Sequence, residues 1–180
     1  MTMRRPEGDL WVFGYGSLLW SPCFVPEERA LARLDGWHRS FCMWSVHYRG
    51  TPESPGLVLA LDRAEGGSCL GVAFRVAAGA VEDALAALRE RELVSSAYRE
   101  AWLDVSLTDG RQVEAVTYVV DPAHPQYAGG LSLEDQAVVI RRAIGPKGPN
   151  RDYLANTHRH LTALGIEDAD MAWLSAAVSV

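Results

Sequence analysis

Lysine occurs once in this 180-residue chain, as Lys147 in a Gly/Pro-rich loop, so a buried Schiff-base lysine is not expected. Cysteine is scarce too: Cys23, Cys42 and Cys69 are odd in number and have no C-x-x-C spacing. That argues against a disulfide framework and fits a reducing cytoplasm. No apolar run approaches the length of a membrane span, and no apolar segment follows Arg4-Arg5, so neither a membrane association nor a secretory signal is expected. Positive charge is in the minority. A formal net charge of −6 and the absence of a basic stripe argue against a nucleic-acid partner.

Several chemical signatures are also missing. There is no G-x-G-x-x-G, no G-x-x-x-x-G-K and no G-x-S-x-G, so the usual phosphate cradles and the nucleophile elbow are excluded. His158 and His160 stand two apart, about 200° around a helix, and cannot hold one metal together. His38, His47 and His124 have no ligand-like spacing, so no metal site is expected.

What is present suits one globular domain over 1–180, with residues 1–9 as a flexible N-terminal segment. Strands are expected at 10–13, 37–47, 57–61, 69–76, 102–107 and 112–120. Leu70, Val72, Phe74 and Val76 alternate as in a half-buried strand, and Asp109-Gly110 signals a hairpin. A helix is expected near 80–93. Another follows Ser132 as N-cap and ends at Gly145-Pro146; a third is capped by Asn150 and stops at Gly165; a last one begins near Asp168. Strands first and helices late give an α+β class.

Two places carry the chemistry. The first strand runs into Gly14-Tyr15-Gly16-Ser17, where glycines would allow positive φ and close approach of a ligand to main-chain N–H groups. Successive N–H groups in such a turn suit an anion, and without a phosphate motif a carboxylate is the better fit; a plain strand-to-loop turn remains the alternative. The second place is the helix after Gly79, whose stripe Val81, Leu85, Leu88 leads on to Glu92. Glu92 lies about 20° from Val81 around the axis, whereas Glu90 lies about 180° away. An inward carboxyl has its pKa raised by burial, as a general acid/base near neutral pH needs. Fraying before Glu92, or an ion pair with one of the arginines, are the other readings.

Phe13-Gly14-Tyr15-Gly16-Ser17-Leu18 resembles the signature of γ-glutamylcyclotransferases. Gly36-Trp37-His38-Arg39-Ser40-Phe41, Tyr48-Arg49-Gly50-Thr51-Pro52 with Pro55-Gly56, Gly71-Val72-Ala73-Phe74-Arg75-Val76, Arg91-Glu92 followed by Tyr98, and Gly145-Pro146 through Gly148, Asn150, Tyr153 and Leu154 extend the likeness to the ChaC type, the glutathione-specific branch. It covers residues 10–178. The resemblance implies a mixed, largely antiparallel β-barrel with surrounding helices, Glu92 as general acid/base, and no cofactor. It also implies substrate binding by Val12, Phe13, Gly14, Tyr15, Gly16, Ser17 and Leu18, with Arg49 and Tyr98, and glutathione as the small-molecule substrate. Arg49 or Arg39 would supply local positive charge for an anionic substrate, or else serve surface or structural ion pairs. Two features depart from the pattern: Val94-Ser95-Ser96-Ala97 stand where relatives often have Gly before the Tyr, and Leu19 stands where Ile is frequent. A non-catalytic module that binds a transport partner, and a cyclotransferase for other γ-glutamyl compounds, are the competing functions.

Overall fold

Alternating side chains along five strands decide the architecture, because each strand presents one apolar row that has to leave water. The computed structural model describes residues 6–179. β1 (Leu10–Gly14), β2 (Glu28–Ser45), β3 (Gly56–Val76), β4 (Tyr98–Leu107) and β5 (Gln112–Val120) close into a barrel in the order β1-β3-β2-β4-β5. Pairing is antiparallel except where β1 and β3 meet β5 in parallel, at Trp11↔Ala115, Val12↔Val116 and Leu61↔Val119. Closure leaves no sheet edge in the ring. Helices α1 (Val81–Glu92), α2 (Leu133–Arg142), α3 (Asn150–Ala163) and α4 (Ala169–Val178) flank it, and β6 (Ile144–Gly145) pairs with β7 (Gly148–Pro149) just before α3. The expected α+β barrel, mixed and largely antiparallel, is what forms.

Leu10, Val12, Phe13, Phe41, Leu57, Phe74, Leu88, Ile140, Leu154 and Leu161 are all essentially excluded from solvent and belong to one connected core. Of the expected flexible segment 1–9, residues 1–5 lie outside the described residues. Asp9 is held, accepting from Arg75 Nη1 at 2.8 Å and from the Ala78 N–H at 3.0 Å.

Two strands are longer than their sequence suggests. β2 begins at Glu28, because its first half alternates between solvent and core with charged residues outward, and 57–61 and 69–76 are one strand. The polar residues between them pair with β2 (Trp37↔Arg63, His38↔Asp62), across an irregularity at Gly36, whose φ is +84°. Partnering overrides the weak apolar signal there.

Helix starts follow the sequence in two cases of three. Ser132 Oγ accepts from Asp135 N at 3.1 Å, and Asp168 Oδ1 from Met171 N at 3.0 Å. Asn150 does not cap. It is the first residue of α3, fully buried, and its amide pairs with both backbone groups of Leu57 (Leu57 N–H to Oδ1 2.7 Å, Nδ2–H to Leu57 C=O 2.8 Å). The side chain thus acts as a missing strand partner.

In the turn after α1, Ser96 sits at φ 57°, a left-handed conformation that costs an L-residue about 1–2 kcal/mol. Part of that strain is offset by the greater unfolded-state freedom of glycine. Ser96→Gly is therefore expected to stabilise the fold by about 0.5–1 kcal/mol in urea denaturation; a lower midpoint would contradict the strain.

Candidate active site

β1 delivers the chain to the barrel mouth, where residues 15 and 16 lead into a 3-10 turn, Ser17–Leu19. Gly14 and Gly16 are not among the residues of positive φ, so the expected reason for these glycines is corrected. At Gly14 the cause is space: a Cβ there would come 2.9 Å from Cε2 of Phe74. Leu18 and Leu19 pack inward, and Leu19 N–H donates to the Gly16 carbonyl at 2.9 Å, which fixes the turn.

α1 supplies the acid. Val81, Ala84, Leu85 and Leu88 form its buried face, and Glu92 is its last residue, continuing that face over the barrel mouth. The Glu92 side chain is 16% exposed, and its one partner among the described residues is Arg91, whose Nε lies 3.5 Å from Oε1. Burial raises its pKa above the ordinary 4.5, and Arg91 opposes that only in part. Glu90, two residues earlier, is exposed.

Tyr15, Gly16, Ser17, Leu18, Leu59, Glu92, Tyr98, Thr117, Tyr118 and Tyr153 line a cavity of about 40 Å³. Six of these were expected from sequence: Tyr15, Gly16, Ser17, Leu18, Glu92 and Tyr98 converge from the first turn, α1 and β4. Val12, Phe13 and Gly14 do not line the cavity; they lie in β1 beneath the turn, with Val12 and Phe13 buried in the core. Arg49 is outside it too. Its Nη1 donates to the carbonyls of Lys147 (2.9 Å) and Pro149 (3.3 Å), and its guanidinium lies 5.6 Å from the ring centre of Tyr153.

Arg39 is taken up by structure. Its side chain is 2% exposed; Nε donates to the Tyr15 carbonyl at 2.7 Å, Nη1 pairs with Asp168 at 2.7 Å, and Nη2 donates to the Leu70 carbonyl. It ties the segment at Tyr15 to β3 and to the start of α4. It adds no cation to the lining.

Leu59, Thr117, Tyr118 and Tyr153 complete the lining and were not singled out as site residues. Leu59, Thr117 and Tyr118 sit in strands whose alternation reads as core, so periodicity gives them no distinct signal. Tyr153 lies in the 145–154 segment that carries part of the family resemblance, and that is its only sign in the sequence.

The phenols are arranged by their donors. Tyr15 Oη–H is given to the Tyr118 carbonyl (2.8 Å) and Tyr98 Oη–H to the Leu59 carbonyl (2.7 Å), leaving both oxygens as acceptors. Tyr153 Oη accepts from Leu59 N–H at 3.4 Å and keeps its own proton. Burial pushes the pKa values of Tyr15 and Tyr98 well above 10.0 and that of Tyr153 up to about 12, so all three stay neutral. Behind the cavity, burial would raise Glu100 as well, but Arg89 (Nε–Oε2 2.7 Å, Nη2–Oε1 2.9 Å), Trp102 and Tyr118 bring its pKa below the ordinary value. One carboxylate is fully hydrogen-bonded and held ionised; the other is desolvated and open to the cavity. Contrasting environments of this kind separate a structural anion from a proton carrier.

The ChaC-like protein family model matches residues 10–180. The glutathione-specific gamma-glutamylcyclotransferase of Escherichia coli (strain K12) is 39% identical over 168 residues, 93% of this chain and 72% of that protein. Gamma-glutamylcyclotransferase 2-3 of Arabidopsis thaliana is 36% identical over 165 residues, covering 88% and 83%. The crystal structure of a glutathione-specific gamma-glutamyl cyclotransferase from yeast superimposes with a TM-score of 0.85 at 22% identity over 96% of each chain, a likeness of fold.

Proposed function

Since this chain belongs to the ChaC-like family, we propose that it is a cyclotransferase that cleaves glutathione to 5-oxoproline and Cys-Gly, with Glu92 as general acid/base. The observation that carries this reading is a desolvated carboxylate, Glu92, sharing a cavity with the 15–18 segment and a set of neutral phenols. In glutathione the α-amine attacks the γ-carbonyl carbon, a five-membered lactam closes, and the amine of Cys-Gly departs. Nucleophile and electrophile belong to one molecule, so the protein's task is to hold a near-attack conformer and to move protons.

The residues fit that task. Glu92 takes a proton from the α-ammonium and later passes one to the leaving nitrogen. Tyr15 and Tyr98, whose hydroxyl protons are already given to carbonyls, present oxygens that accept from the ammonium. The 15–18 backbone and the Ser17 hydroxyl border the position for the α-carboxylate and the developing oxyanion. Val12, Phe13 and Gly14 fix the strand from which that segment springs. Arg49, beside Tyr153 and outside the cavity, supplies local positive charge for the anionic substrate. Three cysteines without a disulfide agree with work in a reducing cytoplasm. No described helix is long and apolar enough to cross a membrane.

The reading requires a free α-amine and a γ-linked amide. N-acetylated glutathione is expected to give no product. In a competition of glutathione against γ-Glu-Ala or γ-glutamyl-lysine, glutathione is expected to have the higher kcat/KM; the reverse order would leave a cyclotransferase but remove the glutathione assignment.

The pH profile follows from the direction of the Glu92 shift. The base works as carboxylate, and burial raises its pKa, so the acid limb of kcat/KM, which reports the free protein, should lie above the ordinary glutamate value of 4.5. The same raised pKa means that ionising Glu92 weakens the fold: its contribution favours the native state below pH 4.5 and is lost as pH rises through the folded-state pKa. Glu92→Gln should therefore gain stability relative to wild type as pH rises from 4.5 to the folded-state pKa and keep that gain above it, a difference that urea midpoints at low and neutral pH would measure.

A further inference from the structure

Resting on the reading above, we infer that Arg91 is a positioning residue that locks Ser17 of the substrate loop to the catalytic helix and sets the charge facing Glu92. Its guanidinium spans three groups. Nη2 donates to Ser17 Oγ at 2.5 Å, Nη1 donates to the Ser21 carbonyl at 2.5 Å, and Nε lies 3.5 Å from Glu92 Oε1. The first two acceptors are neutral, so among the described residues Glu92 is the only carboxylate paired with this cation.

The first consequence concerns Ser17. A serine hydroxyl has one proton and two lone pairs. Because one lone pair takes the Arg91 N–H, the hydroxyl proton remains to be donated, and Ser17 lines the cavity. Arg91 thereby fixes Ser17 as a donor toward an anionic group of the substrate.

The second consequence concerns Glu92. From the surrounding elements it is faced by Tyr15 after β1, Cys23 beyond the 3-10 turn, Tyr98 of β4, Tyr118 of β5 and Tyr153 of α3. Burial raises the pKa of each of these, which keeps them neutral and leaves Arg91 as the charged neighbour. The cation favours the carboxylate form of the base. When Glu92 accepts the α-ammonium proton, its negative charge disappears while the positive charge of Arg91 stays. The local field then turns positive as electron density moves from the attacking nitrogen onto the γ-carbonyl oxygen. Collapse of that oxyanion expels the Cys-Gly nitrogen, which takes the proton from Glu92. The restored carboxylate then takes the second proton from the ring nitrogen and hands it to the departing amine, which leaves as ammonium, and the pair is restored.

Two measurements test this. In the intact protein without substrate, the carboxyl carbon of Glu92 is titrated by NMR for wild type, Arg91→Met and Arg91→Lys, with Arg91→Gln as a second neutral variant. The neutral variants are expected to move the Glu92 midpoint up by about one pH unit, and Arg91→Lys to stay near wild type. An unmoved midpoint in a folded neutral variant overturns the charge role. In turnover, Arg91→Lys keeps the charge but loses the fork, so kcat should fall about tenfold or more while the acid limb stays in place. Ser17→Ala should match that loss, and the double variant should lose no more than the worse single one. Fully additive losses overturn the lock. If wild type releases no 5-oxoproline from glutathione, the proposed activity falls, while the NMR titration and an Arg91/Ser17 cycle in urea stability still decide the lock, coupling supporting it and additivity overturning it.

Discussion

Glu92→Gln is expected to lower kcat for glutathione by about two to four orders of magnitude, the usual share of general acid/base catalysis. Gln keeps the length of the side chain and its place over the cavity but cannot take the α-ammonium proton. The fold should survive, since the carboxylate has a single charged partner, Arg91, at 3.5 Å. Glu90→Gln is the matched control. Glu90 is exposed on the far side of α1, and its replacement should leave turnover within about twofold of wild type, because surface changes away from a site have small effects. Equal losses from both changes would mean that α1 presents its residues in some other way.

Arg39→Met destabilises the protein by about 3–5 kcal/mol, the range for removing one member of a buried ion pair. Arg39 is 2% exposed and Asp168 16%, so the carboxylate left behind cannot be fully hydrated where it stands. The carbonyls of Tyr15 and Leu70 lose a charged donor as well. Urea denaturation would measure the loss. Arg39→Met combined with Asp168→Asn should recover part of it, because the uncompensated charge is gone and Asn still caps α4. No recovery would show that the two backbone bonds, rather than the ion pair, hold this corner together. Since Arg39 also anchors the Tyr15 carbonyl, the single variant should lose activity at temperatures where it is still folded.

The sequence makes the geometry of the candidate site legible wherever local periodicity governs it. One stripe, Val81, Leu85, Leu88, is enough to point Glu92 inward, and the structure places it there. The 15–18 turn is legible as a ligand-approach segment, although neither Gly14 nor Gly16 has positive φ and Gly14, just before it, is small because Phe74 lies against it. What pairing across the barrel creates is less legible. Residues 62–68 carry little apolar signal and become strand only because β2 lies beside them. Tyr118 and Thr117 reach the cavity from a strand that is buried on both faces and reads as core, so nothing in its pattern marks them apart. Asn150 looks like a helix cap in the sequence, yet it is the first residue of α3, and Leu57, 93 residues earlier in the chain, claims its amide. Arg39 shows the same limit: its sequence neighbourhood says nothing of Asp168, 129 residues away.

The central claim is intramolecular ring closure on a γ-glutamyl substrate, and product analysis reaches it most directly. Purified protein is incubated with glutathione, and 5-oxoproline, Cys-Gly and free glutamate are quantified over time. The account predicts 5-oxoproline and Cys-Gly in equal amounts with no glutamate, and loss of both in Glu92→Gln. Release of glutamate with Cys-Gly would mean that water rather than the α-amine attacks the γ-carbonyl, and would contradict it.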